Sequence, residues 1–76
     1  MTLDEAIAAM KAEAIAAAGQ NRHFASAHEG LAIIQEEFEE LKAEVFKKQS
    51  ARSISKMDEE AIQLGAMCLR FITDCT

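Results

Sequence analysis

The amino-acid sequence predicts an all-α protein of three helices, and three observations carry that prediction. There is no proline and there are only three glycines in 76 residues, so little interrupts the chain. Half of the residues are hydrophobic, yet Trp and Tyr are absent, which leaves Ala, Ile, Leu, Met and four Phe to build a core. Those residue types favour helices, and strands would need more β-branched and aromatic residues than the chain holds. Apolar residues also recur at three-four spacing in three separate stretches.

The first helix is expected over about 3–18. Thr2 followed three residues later by Glu5 has the form of a capping box, and Leu3, Ile7, Met10, Ala14 and Ala17 form the apolar stripe. Gly19 is the expected stop, which makes 19–26 a connector whose Phe24 docks on the core. Ser26 and Glu29 repeat the capping pattern at the start of a second helix over about 27–49, with the stripe Leu31, Ile34, Phe38, Leu41 and Val45. Lys47 and Lys48 fall in its expected last turn, where cations meet the negative end of the helix dipole. A short polar turn follows, with Ser53 or Ser55 as the cap of a third helix over about 55–75.

The third helix carries two apolar stripes: Met57, Ala61, Leu64, Cys68, Phe71 and Cys75, then Ile62, Gly65, Leu69 and Ile72. Such a helix needs partners on two sides. Gly65, costly in a helix interior by about 1 kcal/mol, points to close approach of another backbone. Cys68 and Cys75 are seven residues apart, roughly 10 Å along a helix, too far for an internal disulfide, and read as reduced core residues. Met10, Met57 and Met67 read as core gap-fillers. A single domain over 1–76 is small for a self-sufficient core. Helices two and three are therefore expected to form an antiparallel hairpin that assembles into a helical bundle as a dimer or higher homo-oligomer.

A net charge of -5 argues against a nucleic-acid polymer or an anionic membrane as the main partner, because both recruit basic surfaces. No apolar run reaches membrane-spanning length, and Thr2-Leu3-Asp4-Glu5 stands where a secretory signal would be basic. A cytoplasmic location is expected.

The segment Glu36-Glu37-Phe38-Glu39-Glu40 carries the most chemistry. Glu37 and Glu40 are three apart and share a helix face, and Glu60 and Gln63 form a matching pair on helix three. In a hairpin that turns near residue 51 the two pairs fall within about one helical turn of each other. Facing carboxylates repel unless protons or a cation neutralise them, and hard cations such as Mg²⁺ or Mn²⁺ take oxygen ligands of this kind. The competing reading is a solvated acidic face with Lys42 and Lys47 as partners. Lys47, Lys48, Arg52 and Lys56 cluster around the turn; they either meet phosphates or serve the helix dipole and solubility. Ser26 is better explained as a cap than as a nucleophile. His28 has no Cys or second His at zinc-ligand spacing.

Three stretches carry a resemblance: His28-Glu29-Gly30, Ile34 to Leu41, and Glu59-Glu60-Ala61-Ile62-Gln63-Leu64-Gly65-Ala66-Met67-Cys68-Leu69-Arg70-Phe71-Ile72. Together they resemble the MazG-like branch of the all-α nucleoside triphosphate pyrophosphohydrolases, over residues 26–75. Members of that family carry Glu-Glu-x-x-Glu on one helix and Glu-x-x-Asp on the next, and hold Mg²⁺ against a nucleoside triphosphate. Glu36, Glu37 and Glu40 match the first motif and Glu60 matches the Glu of the second, whereas Gln63 stands where the family has Asp. The resemblance implies hydrolysis of a nucleoside triphosphate to the monophosphate and pyrophosphate. Under it Glu37, Glu40, Glu60 and Gln63 are metal ligands, with Gln63 a weaker one for want of charge. Glu36 is the candidate catalytic base or a further ligand, and Arg52 and Lys56 are the candidates for substrate phosphate. Two alternatives stand beside it: a relative that binds nucleotide or metal without useful turnover, and a helical oligomerisation protein.

Overall fold

The computed structural model describes residues 1–20 and 22–76. It contains α1 (Leu3–Gln20), α2 (Ala27–Val45), a short 3₁₀ turn (Gln49–Ala51) and α3 (Ile54–Cys75), with no strand among the described residues. The all-α, three-helix class is thus present, and the caps explain where each helix begins. At α1 the capping box closes both ways: Thr2 N donates to Glu5 Oε1 at 2.8 Å and Glu5 N to Thr2 Oγ1 at 3.1 Å. At α2, Glu29 N donates to Ser26 Oγ at 3.1 Å, but the Glu29 carboxylate reaches past the cap to Ala25 N at 2.9 Å. Ser53, not Ser55, caps α3, accepting from Lys56 N at 3.2 Å.

The helix ends depart from expectation for local reasons. Gly19 lies inside α1 and takes no positive φ, so the left-handed stop does not form and the helix continues to Gln20. Asn21, part of the expected connector, lies outside the described residues. Helix α2 ends at Val45 instead of 49, because its last carbonyls find donors there: Phe46 N donates to Lys42 O at 2.9 Å and Arg52 Nε to Val45 O at 2.8 Å. Lys47 and Lys48 therefore lie past the helix; Lys42 occupies its last turn and Lys47 instead pairs with Glu44 at 2.8 Å.

Helix α3 is the middle element. It packs against both α1 and α2, whose backbones make no close approach to each other among the described residues. Met10 of α1 lies against Gly65, and Gly30 of α2 lies against Phe71 and Phe24. The buried centre is Phe24, Ala66 and Met67, with Ala14, Ala17, Ile33, Ile34, Phe71 and Cys75 packed around it. Phe24 docks as expected. Three other expectations need correcting. A Cβ on Gly65 would fall 2.5 Å from Met10 Sδ, so the close neighbour is a side chain and not a backbone. Cys68 is exposed, and Cys75 is half-buried with its Sγ 3.6 Å from Ser26 O, so Cys68 is not a core residue. Of Met10, Met57 and Met67, only Met67 is buried, the other two being half-buried. No helix among the described residues is long and apolar enough to cross a membrane.

Candidate metal centre

Helical spacing puts Glu37 and Glu40 one above the other on α2, and the packing of α2 on α3 brings Glu60 to them. One carboxylate oxygen from each of Glu37, Glu40 and Glu60 can be chosen so that all three lie within 4.8 Å of one another. Glu37 and Glu60 are half-buried and Glu40 is exposed. Glu37 Oε2 and Glu60 Oε2 are out of reach of solvent and find no hydrogen-bond partner among the described residues. Orphaned carboxylate oxygens of this kind are costly, because desolvation removes water without supplying a replacement.

The electrostatics carry the same signature. Burial, followed by the charge of Glu40 and then those of Glu60 and Glu36, pushes the Glu37 carboxyl up to about 7. Glu60 is also raised, by desolvation first and then by Glu40 and Glu59, with Lys56 pulling weakly the other way. The lysines that a solvated face would use go elsewhere: Lys42 lies 3.9 Å from Glu39, Lys47 pairs with Glu44, and Lys56 lies 3.8 Å from Glu59. Each of these ion pairs is with a glutamate outside the trio. Protonation or a nearby cation would relieve the repulsion within the trio.

The remaining candidates take different places. Glu36 is exposed and stands outside the trio, yet its charge bears on Glu37. Glu36, Glu37 and half-buried Gln63 line a cleft of about 670 Å³ between α1 and α2, floored by Gln63, Met67 and Arg70 of α3. Glu13, Ala16, Ala17 and Gln20 form its α1 wall. Arg52 uses its Nε to close α2, which is a structural task. Among the turn cations it is Lys56 whose charge reaches the trio, through Glu60. Ser26 is a cap, as read from the sequence, and His28 is exposed.

Sequence reasoning missed a second polar cluster at the other end of α3. Arg70 is only 6% exposed; it donates through Nη2 to Arg22 O at 2.8 Å and lies over the Phe24 ring, 4.4 Å from its centroid. Asp74 accepts from Phe24 N at 3.1 Å and lies 2.8 Å from His23 Nδ1 and 3.8 Å from Arg70 Nη2. The His23 contact, then the Phe24 amide, hold the Asp74 carboxyl below its ordinary value. Arg22 in turn grips Glu29 with two bonds of 2.8 and 2.6 Å. The available signal was Arg70 and Asp74 at i, i+4 inside an otherwise apolar stripe.

Compared with known proteins, the chain matches no protein-family model, no curated protein and no solved structure.

Proposed function

We propose that this chain is a divalent-metal-dependent nucleoside triphosphate pyrophosphohydrolase of the MazG-like kind. The observation that carries the reading is the convergence of Glu37, Glu40 and Glu60 from two helices, with two buried carboxylate oxygens lacking any partner. Mg²⁺ and Mn²⁺ prefer such an all-oxygen set, so the residues fit the ion. Glu37, Glu40 and Glu60 would hold it, with the uncharged Gln63 carbonyl as a weaker further donor at the cleft. When bound, the metal neutralises phosphate oxygens and makes water a better nucleophile.

The chain's own groups have simple tasks in this reading. The cleft beside Glu37 receives the nucleotide, its volume being within the usual range for small-molecule sites. Glu36, exposed at the cleft and free of the trio, orients the attacking water and takes its proton. The new bond forms between the water oxygen and the α-phosphorus; the α–β anhydride bond breaks and pyrophosphate leaves. Lys56 and Arg52 are the candidates for the phosphates; neither lines the cleft, and Lys56 is the better placed because its charge reaches Glu60 while Arg52 Nε is engaged by Val45 O. The architecture that serves this chemistry is an antiparallel hairpin of α2 and α3, a reading supported by the pairing of Gly30 with Phe71 and of Glu37 and Glu40 with Glu60. The chain works in the cytoplasm as a homo-oligomer, dimer or tetramer, since so small a buried centre calls for added cover.

A second reading is favoured by one residue. Gln63 in place of a carboxylate weakens the metal site, which suits a relative that binds nucleotide or metal with little turnover. Thermal unfolding with millimolar Mg²⁺ or Mn²⁺, alone and with a nonhydrolysable nucleoside triphosphate, tests binding, and pyrophosphate release tests turnover. The midpoint is expected to rise with metal, to fall back on chelation, and to be insensitive to metal in Glu37→Gln. Absence of any rise would remove the metal site and leave a helical oligomerisation protein. Binding without release, with release gained in Gln63→Asp, would select the second reading.

A further inference from the structure

The three helices lie as one layer, with α3 between α1 and α2, and the cleft opens on one side of that layer. Two residues further along a helix is roughly 200° of rotation, which brings a side chain to the opposite side. Leu31 follows Glu29 by two, Phe38 follows Glu36, Leu69 follows Met67 and Ile72 follows Arg70, and the first member of every pair lines the cleft. The second members are therefore on the far side, and they are exposed: Leu31 by 59%, Phe38 by 49%, Leu69 by 39% and Ile72 by 60%. The cleft-lining carboxylates are on one side of the layer, and four exposed apolar residues are on the other.

We infer that this far face, centred on Leu31, Phe38, Leu69 and Ile72, is where a second copy of the chain docks. The inference rests on the homo-oligomer reading above and names the surface that it uses. Area argues for it. The four side chains expose on the order of 400 Å², close to the apolar share of a standard interface of about 800 Å² per partner. Layering argues for it too, since a helix layer with an apolar side becomes a folded core only when a second layer covers it. Charge does not bar a like partner: the chain carries -5 overall, but the four central residues are neutral, and salt screens the remaining repulsion between copies. The contact is isologous, each copy presenting the same patch to the other. It leaves the cleft open on the outside of both copies.

Sedimentation equilibrium from about 1 to 100 μM is the test. The unaltered chain is expected to be dimeric or larger, and Phe38→Glu and Ile72→Glu are each expected to weaken association at least 100-fold while keeping their helical circular dichroism. Ala16→Glu, at an exposed position on the cleft side of α1, is expected to leave association unchanged. Leu31→Lys provides the same reading should either glutamate variant lose its helices. Association that survives both glutamate variants and Leu31→Lys would overturn the face while leaving the homo-oligomer reading in place. A wild-type monomer across the whole range would overturn both.

Discussion

The two polar clusters on α3 differ in one respect that decides their roles. Near the C-terminus of the helix every charge has an opposite number: Arg70 beside Asp74, Asp74 beside His23, Arg22 gripping Glu29. Two turns and more toward the N-terminus, Glu60 meets Glu37 and Glu40, with no cation inside the group and two oxygens unpartnered. The first cluster is balanced in charge, although Arg70 Nε is buried without a hydrogen-bond partner among the described residues. It ties the segment before α2 to the end of α3 and so shapes one end of the cleft. The second is self-opposed, and a fold tolerates a self-opposed cluster when something supplied from solution neutralises it. A cluster of balanced opposite charges ties elements together, whereas a cluster of like charges is the better candidate for binding a counter-charge.

The largest effect is expected from breaking the charge-balanced end. Arg70→Met removes a nearly buried guanidinium, strands Arg22 O and leaves Asp74 with fewer partners, at a cost of about 3 kcal/mol. Urea unfolding would show the midpoint falling with little change in slope, and Arg70→Lys is not expected to rescue it because the planar stack on Phe24 is lost.

The opposite sign is expected at the unsatisfied end. Native Glu37 keeps its proton up to about pH 7, whereas the unfolded chain loses it near the ordinary value of 4.5. Its contribution to stability is therefore complete below pH 4.5 and lost as pH rises through 7. In metal-free buffer Glu37→Gln should raise stability at pH 8 by about 1–2 kcal/mol, allowing for solvent screening of a partly exposed group, and change little at pH 4.5. Denaturant titrations at the two pH values measure the difference. An equal effect at both would mean that charge is not the cause.

The smallest effect concerns the shape of the pH profile. The Asp74 carboxyl is held below its ordinary 3.8, so its stabilisation is present above that value and fades as pH falls through the lowered one. With Glu37 working in the other direction, metal-free protein should be most stable near pH 4 to 5, between the two losses. Millimolar Mg²⁺ should move that optimum upward, and Asp74→Asn should soften the acid limb alone.

Much of this was legible in the sequence because it depends on spacing within one helix. The caps at Thr2, Ser26 and Ser53, the docking of Phe24 and the shared face of Glu37 and Glu40 follow from neighbours three or four residues apart. What spacing does not show is which distant group supplies a donor. Helix α2 ended early because Arg52 reaches Val45 O across the turn, and Gly19 stayed helical because nothing there required a left-handed residue. Arg70 and Asp74 were passed over for the same reason. Their partners Arg22, His23 and Phe24 are about fifty residues away along the chain. Among the site candidates, the trio was legible as two facing pairs, while the separation of Glu36 from it needed the third dimension.

The central position of α3 also governs how the molecule opens. Among the helices, the backbone of α1 comes close only to that of α3, and its packing uses alanines and one flexible methionine, with no residue of its own buried. Amide hydrogens of α1 should accordingly exchange with deuterium through a partial opening, well before those around Ala66 and Met67, which must wait for the chain to unfold as a whole.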